Sequence, residues 1–398
     1  MKAGWQTKKL GEVCEIIMGQ SPAGETYNST GEGIPLINGP VEFSPQPFGY
    51  TVRSKFTTKP TKYCKAGDLI LCVRGSTTGR MNIAGFDACI GRGVAAIRAN
   101  LYQPWVNYFV RTKRQDIYDT GTGATFPNVS GVMLSDLDIA FPPVPEQQRI
   151  VGILDEAFDG IAAAKANAEK NLQNARALFE SHLQAVFADA WVTGELVTLT
   201  DLATDITDGD HMPPPKASSG VPFITIGNVA KDTRTIDFSD TFMVSRDYFD
   251  RLKYHKKPMK GDVLYTVTGS FGIPVLVSEH REFCFQRHIG LVRPKSDVCS
   301  EWLYYLLMSP QVFKQANDGA TGTAQKTVSL KLLRGFQVPR VSLARQQLAV
   351  TKLNALTEET QRLESIYQQK LAALDVLKKS LLDQAFSGKL TSGGTVAI

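Results

Sequence analysis

The sequence lacks most of the features that announce a metal centre, a membrane anchor or an active site. None of its six cysteines (Cys14, Cys64, Cys72, Cys89, Cys284, Cys299) belongs to a Cys-x-x-Cys pair, which argues against structural zinc. Disulfide frameworks belong to small secreted domains, so in a chain of 398 residues these read as free, mostly buried thiols. His280, Cys284, His288 and Cys299 could be drawn together around zinc, but their spacing fits no familiar pattern and no matching set recurs. No apolar run approaches the roughly 18 residues of a membrane span. The opening Met1–Gln6 has no apolar signal region, so a cytoplasmic protein with no membrane partner is expected.

Catalytic signatures are missing too. No Gly-x-x-x-x-Gly-Lys-Ser/Thr phosphate loop occurs, and Gly75-Ser76-Thr77-Thr78-Gly79-Arg80 resembles one only in composition. No lysine has an Asp or Glu two residues before it, which removes the usual carboxylate-x-lysine core of a metal-dependent nuclease. The Asp/Asn/Ser-Pro-Pro-aromatic signature of adenine amino-methyltransferases is absent, and Phe141-Pro142-Pro143-Val144 reads as a turn into a helix. Neither Gly-x-Ser-x-Gly nor His-Glu-x-x-His is found. No catalytic, cofactor-binding or metal-ligating residue is therefore assigned.

What is present is enough apolar material, 43%, for real cores in two or three domains. Net charge is a modest +5, but it is unevenly spread. Residues 1–145 carry +4, 146–195 carry −4, 196–341 carry +3 and the remainder +2. Basic regions flanking an acidic one suit a polyanion partner, although ordinary surface charge would look similar.

The chain also repeats itself. Gly67-Asp68-Leu69-Ile70-Leu71-Cys72-Val73-Arg74-Gly75-Ser76 is echoed 194 residues later by Gly261-Asp262-Val263-Leu264-Tyr265-Thr266-Val267-Thr268-Gly269-Ser270. Upstream, Gly33–Ile37 matches Gly220–Ile224; downstream, Arg92–Arg98 matches Arg287–Arg293 and Trp105 matches Trp302. Ser181-x-Leu183-x-x-x-Phe187 recurs as Ser380-x-Leu382-x-x-x-Phe386. Order is kept while the offset grows, the mark of a duplication with loop insertions. Each copy has strand-like runs between glycine-rich turns, then a short helix, at Pro104–Tyr118 and Ser300–Ala316. Each ends at a proline-marked exit into a long helix free of internal proline, from Glu146 to about Ala190 and from Leu343 to about Phe386. The second carries a heptad stripe, with Leu353, Tyr367, Leu374 and Leu381 in one seam and Leu356, Leu363 and Leu377 in the other. The first has a looser stripe of Leu154, Phe158, Ile161, Leu172 and Phe179, with Ala168, Ala175 and Val186. Neither stripe can be buried alone, so the two helices are expected to pair, each about 43 residues and ~65 Å long.

Residues suited to DNA contact stand at corresponding places in the two copies. Basic runs precede each Gly-Asp turn: Arg53, Lys55, Lys59, Lys62 and Lys65, against Arg251, Lys253, His255, Lys256, Lys257 and Lys260. They suit phosphates, and their plain reading is a solvated face. After the matching strand comes a loop of small residues, with Arg74, Ser76, Thr77, Thr78, Arg80 and Asn82 in one copy and Thr268 and Ser270 in the other. Its plain reading is a tight hairpin turn. A further loop pair holds Thr122, Thr125 and Asn128, against Thr321, Thr323, Gln325 and Lys326. Arg92, facing Gln286, Arg287 and His288 in the other copy, completes the set.

Over its whole length the chain resembles the specificity subunit of type I restriction-modification enzymes. The likeness rests on the duplication and on the junctions Phe141-Pro142-Pro143-Val144-Pro145-Glu146-Gln147-Gln148-Arg149-Ile150-Val151 and Val338-Pro339-Arg340-Val341-Ser342-Leu343-Ala344-Arg345-Gln346-Gln347-Leu348. The first is close to the family's Pro-Leu-x-Glu-Gln-x-x-Ile helix start; the second departs from it at Ala344-Arg345. The resemblance implies a mixed α+β fold with two similar target-recognition domains, 1–145 and 196–341. These would be joined by two long antiparallel helices, 146–195 and 342–391, forming a coiled-coil spacer with approximate twofold symmetry, and residues 392–398 would be a flexible tail. It implies a non-catalytic subunit that binds double-stranded DNA, each domain reading half of a bipartite asymmetric site while the helices set the unread gap. Partners would be two methyltransferase subunits using S-adenosylmethionine and restriction-translocase subunits using ATP and Mg, with no cofactor on this chain. Two other readings stay open: a coiled-coil adaptor binding protein, and a self-contained methyltransferase or nuclease with unfamiliar motifs.

Overall fold

Gly67 and Gly261 adopt left-handed φ values of 93° and 95°, where a Cβ would be strained. Each turns the chain into a fully buried strand, Leu69–Cys72 and Val263–Thr266. Each is an inner strand of its own sheet in the structure, a computed structural model that describes residues 4–46, 48–122, 126–212, 214–323 and 325–391. The alternation of a strand sends successive side chains to opposite faces. Accordingly Leu69, Leu71 and Val73 enter one core and Ile70 and Cys72 another. In the second copy Val263, Tyr265 and Val267 separate from Leu264 in the same way.

Both strands sit in four-stranded antiparallel sheets of identical order. One runs Cys14–Met18, Val94–Ala99, Leu69–Cys72, Met81–Ile83; the other runs Ala203–Asp208, Ile289–Pro294, Val263–Thr266, Pro274–Leu276. Register repeats as well: Cys72 faces Val94 and Leu71 faces Ala95, as Thr266 faces Ile289 and Tyr265 faces Gly290. A second, mixed sheet in each copy contains one parallel pair, Leu36–Cys89 and Ile37–Ile90 against Phe223–Cys284 and Ile224–Phe285. The upstream match of Gly33–Ile37 with Gly220–Ile224 thus marks structurally equivalent strands. Each short helix is broken in two, Gln103–Thr112 with Arg114–Thr120 and Ser300–Met308 with Pro310–Gly319, where single helices were expected. In the second case Pro310 forces Ser309 out of the helical region, to ψ 146°, and the Ser309 hydroxyl caps Val312.

The long helices run Val144–Thr193 and Leu343–Phe386, 50 and 44 residues. Pro145 is accommodated in the first turn, where its missing N–H has no helical partner to lose. Both starts are held by a buried glutamine. Gln147 donates to the Pro142 carbonyl at 2.8 Å and Gln346 to the Val341 carbonyl at 2.9 Å. The second junction departs at Ala344-Arg345 yet keeps the same glutamine anchor.

The molecule divides into two units that cut across the expected segments. One comprises residues up to Ala168 together with those from Gln369; the other is Glu169–Gln368. Each owns half of each long helix, paired antiparallel. In the first unit Ile150, Leu154, Phe158 and Ile161 are buried with Leu382 and Ala385, Leu374 and Leu381 are half-buried against them, and Lys165 pairs with Asp375. In the second, Leu183, Phe187, Val350 and Leu353 are buried, Phe179 is half-buried, and Arg176 meets Glu364 at 2.9 Å and Arg345 meets Asp189 at 2.8 Å. Leu172, Leu356, Leu363 and Tyr367 are half-buried. Leu377 is a correction: it is 46% exposed, and the adjacent Lys378 takes the seam, its ammonium 4.8 Å above the Phe158 ring. A lysine stem can lie along an apolar surface while its head stays polar, which a count of leucines overlooks. The expected tail, 392–398, lies outside the described residues. No helix among the described residues is long and apolar enough to cross a membrane.

The long helices meet the short helices of each unit through equivalent aromatics. Trp105 packs on Phe386 with centroids 4.5 Å apart, and Trp302 on Phe187 at 6.2 Å. Tyr108 donates to Asp155 at 2.5 Å and Tyr305 to Asn354 at 2.7 Å. Beneath each Gly-Asp turn lies a two-pronged ion pair: Arg98 on Asp68 at 2.8 and 2.7 Å, Arg293 on Asp262 at 2.9 and 2.8 Å. The carboxylates also accept the Lys65 and Met259 amides, at 2.8 Å each, closing the turn. Hydrogen bonding to the aspartates raises both guanidinium pKa values. Removing one member of a buried pair strands the other charge. Asp262→Ala should thus cost about 3–5 kcal/mol in urea unfolding, whereas Arg345→Ala, from an exposed pair, should cost under about 1 kcal/mol. Equal, small losses would deny the buried pair its role.

Candidate nucleic-acid interface

The strand after each Gly-Asp turn delivers the chain into a loop that is zipped to a second loop from further along. In the first unit Val129 donates to the Val73 carbonyl at 2.9 Å, Gly75 to Pro127 at 3.3 Å, and Arg74 and Thr122 both bridge to Asn128. In the second, Val328 donates to Val267 at 2.8 Å, Gly269 to Lys326 at 3.1 Å, and Thr268 and Thr321 both bridge to Thr327. The two candidate loops of each copy are thus one surface. Gly75 and Gly269 make the turn with φ of 84° and 69°.

Side chains on that surface differ between units. The first exposes Arg74, Ser76, Thr122 and Asn128, with Thr77 and Arg80 half-buried. The second exposes Ser270, Thr321, Thr323, Gln325 and Lys326. Thr125 lies outside the described residues. Three candidates are corrected, since their side chains are buried within the fold. Thr78 is 2% exposed and donates to the Gly75 carbonyl at 2.8 Å. Asn82 is 1% exposed and holds the Ser44 amide at 3.0 Å and the Gln46 carbonyl at 3.1 Å. Thr268 is 8% exposed. Short polar residues look alike in sequence whether they face water or brace a turn.

The basic runs differ too. Lys55, Lys59 and Lys62 are exposed and make no ion pair among the described residues, and Lys253 is likewise exposed. Lys256 is half-buried, 3.5 Å from Asp210, and Lys257 donates to the Asp250 carbonyl at 3.1 Å while lying over the Phe249 ring. These two lysines brace their own domain. Arg92 and Arg287 are exposed, while Gln286 and His288 are half-buried. Burial, then the neighbouring Arg287, lowers the His288 pKa, so it stays neutral near pH 7.

Two arginines escaped the sequence reading. Arg111 and Arg114 line a 570 Å³ cavity beside Ser76. The repeat hides them, for their counterparts are Met308 and Gln311; that mismatch was the available signal. Among the described residues no group of three or more His, Cys, Asp or Glu is placed to hold a metal ion. Burial pushes the Cys64 and Cys284 thiols up to about 12.

Comparison with known proteins decides the family. The type I restriction modification DNA specificity domain matches twice, over residues 2–173 and 193–372. The chain belongs to this family. Among family relatives, it is 34% identical over 180 residues to a putative type I restriction enzyme MjaX specificity subunit of Methanocaldococcus jannaschii, covering 43% of this chain and 40% of that one. It is 23% identical over 302 residues to the EcoBI specificity subunit of Escherichia coli, covering 68% and 62%. The chain thus spans less than two thirds of the length of either relative. A chain from a structure on complex assembly and conformational transition of a type I R-M system shares the fold, with TM-score 0.78, 19% identity, and coverage of 98% of this chain and 99% of that one. The two family matches fall on the two copies of the repeat.

If the exposed lysines meet phosphates, Lys59→Gln with Lys62→Gln should flatten the salt dependence of DNA binding by about two in slope without altering the sequence preferred. Asn82→Ala should instead lower thermal stability with the preference intact. A changed preference in the lysine variant, or in Asn82→Ala, would reverse these assignments.

Proposed function

We propose that this chain is the non-catalytic sequence-specificity subunit of a type I restriction-modification complex. Each unit reads one half of a bipartite, asymmetric site in double-stranded DNA, and the paired helices set the unread gap. Methylation would be performed by two methyltransferase subunits using S-adenosylmethionine, and cleavage by restriction-translocase subunits using ATP and Mg. This chain contributes recognition and the platform on which they assemble.

One observation carries the reading. The same frame is built twice, in the same strand order and register, yet the loops it presents carry different side chains. Arg74 and Asn128 of the first unit are matched by Thr268 and Thr327 in the second, whose Gln325 and Lys326 stand where the first has Phe126 and Pro127; arginine, lysine, asparagine and glutamine are the residue types that read guanine and adenine edges. Identical loops would suit a palindrome; divergent loops on one frame suit two unlike half-sites. Exchanging residues 1–145 for those of a relative, and mapping methylated bases in cells that supply the partner subunits, tests this. One half-site should change and the other should persist with the gap unaltered. An unchanged site, or simultaneous change of both halves, would refute it.

A further inference from the structure

The first unit carries a cavity of 570 Å³ beside the loop that follows its central strand. Its wall includes Ser76 from the loop and Arg111, Arg114, Gln115 and Tyr118 from the helical segment. Neither guanidinium makes an ion pair or hydrogen bond among the described residues, and no carboxylate among them lines the cavity. The nearest acids on that segment are engaged: Asp116 by Lys113 at 2.9 Å and Asp119 by Gln115 at 2.8 Å. Arg111 is held in place by two rings, with its guanidinium 5.3 Å from the Phe48 centroid and 5.5 Å from that of Phe158. Arg114 stands at the exposed edge, and the loop rests on its stem: a Cβ built on Gly79 would lie 3.0 Å from its Cγ.

Two adjacent guanidiniums without a counter-charge, one partly desolvated, form an incomplete arrangement. An oxyanion with several acceptor oxygens would complete it, since guanidinium forks match phosphate geometry. We propose that this cavity seats a phosphate of the DNA backbone next to the half-site read by the first unit, which rests on the DNA-reading function proposed above. A free nucleotide fits less well, because among the described residues Tyr118 is the one aromatic in the wall and none of them opposes it to sandwich a base. The cavity is contiguous with the loop exposing Arg74 and Ser76, so a duplex lying on that loop would bring its backbone to Arg114. The second unit has Met308 and Gln311 at the matching positions, so the contact belongs to one half of the site alone.

Arg114→Gln installs the second unit's residue at an exposed position, and Arg111→Met installs its neighbour's. Binding of the full chain with its methyltransferase partner would be followed by fluorescence anisotropy across a salt series. Two duplexes would be used, one carrying the mapped site and one unrelated. For Arg114→Gln the slope of log affinity against log salt should fall by about one, with binding weakened roughly fivefold to tenfold on both duplexes alike. Thermal unfolding of the free protein should not move. An unchanged slope and affinity in Arg114→Gln would overturn the proposal. So would lost discrimination at a constant slope, which would make Arg114 a base reader. Stabilisation of the wild type but not Arg114→Gln by inorganic phosphate or ATP, with DNA binding equal in both, would make the cavity a small-anion site and overturn it too. Absence of DNA binding by the wild-type complex would refute the DNA-reading function itself, a result distinguishable from all of these.

Discussion

A guanidinium clamped on a buried carboxylate is the interaction on which each unit depends. Arg98 with Asp68, and Arg293 with Asp262, tie the central strand to its neighbour at the point where the glycine turn delivers the chain into the sheet. The aspartate is 3% and 2% exposed in the two copies, so neither could tolerate solitude. Because the pair and the closing amide bond fix where the strand begins, they also fix where it ends, and the loop with divergent side chains starts there. The frame is shared by the two units at one end, and the side chains differ at the other.

That division explains how much could be read in advance. Gly67-Asp68 and Gly261-Asp262, the tryptophans at 105 and 302, and the paired junctions were visible because each is bound to a geometric requirement shared by both copies. A left-handed turn, a buried indole and a glutamine-held helix start leave marks that recur. The partnership of Asp68 with Arg98 lay within the repeat but needed the sheet to bring the two together across 30 residues.

The interface was less legible. Thr78, Asn82 and Thr268 are the residue types that contact DNA, and also the types that brace tight turns; only burial separates the two roles. Lys256 and Lys257 look in sequence like Lys59 and Lys62, yet their ammonium groups are occupied within their own domain. Arg111 and Arg114 were passed over for the opposite reason, since a search for recurrence discards what occurs once. The helix seam misled at Leu377 because a lysine stem served as well as a leucine.

Each long helix belongs to both units, half to one and half to the other. A helix that gives its halves to two cores ties both units to one element: under the function proposed above, the segments that bury Trp105 and Trp302 are the ones that would measure the gap between half-sites. The central claim is that two unlike readers share one frame. Selection of bound sequences from a pool of randomised duplexes, using the full chain with its methyltransferase partner, tests it most directly. The account predicts two short, dissimilar blocks of fixed bases separated by a run of constant length with no preference. A single continuous block, a palindrome, or no enrichment would contradict it.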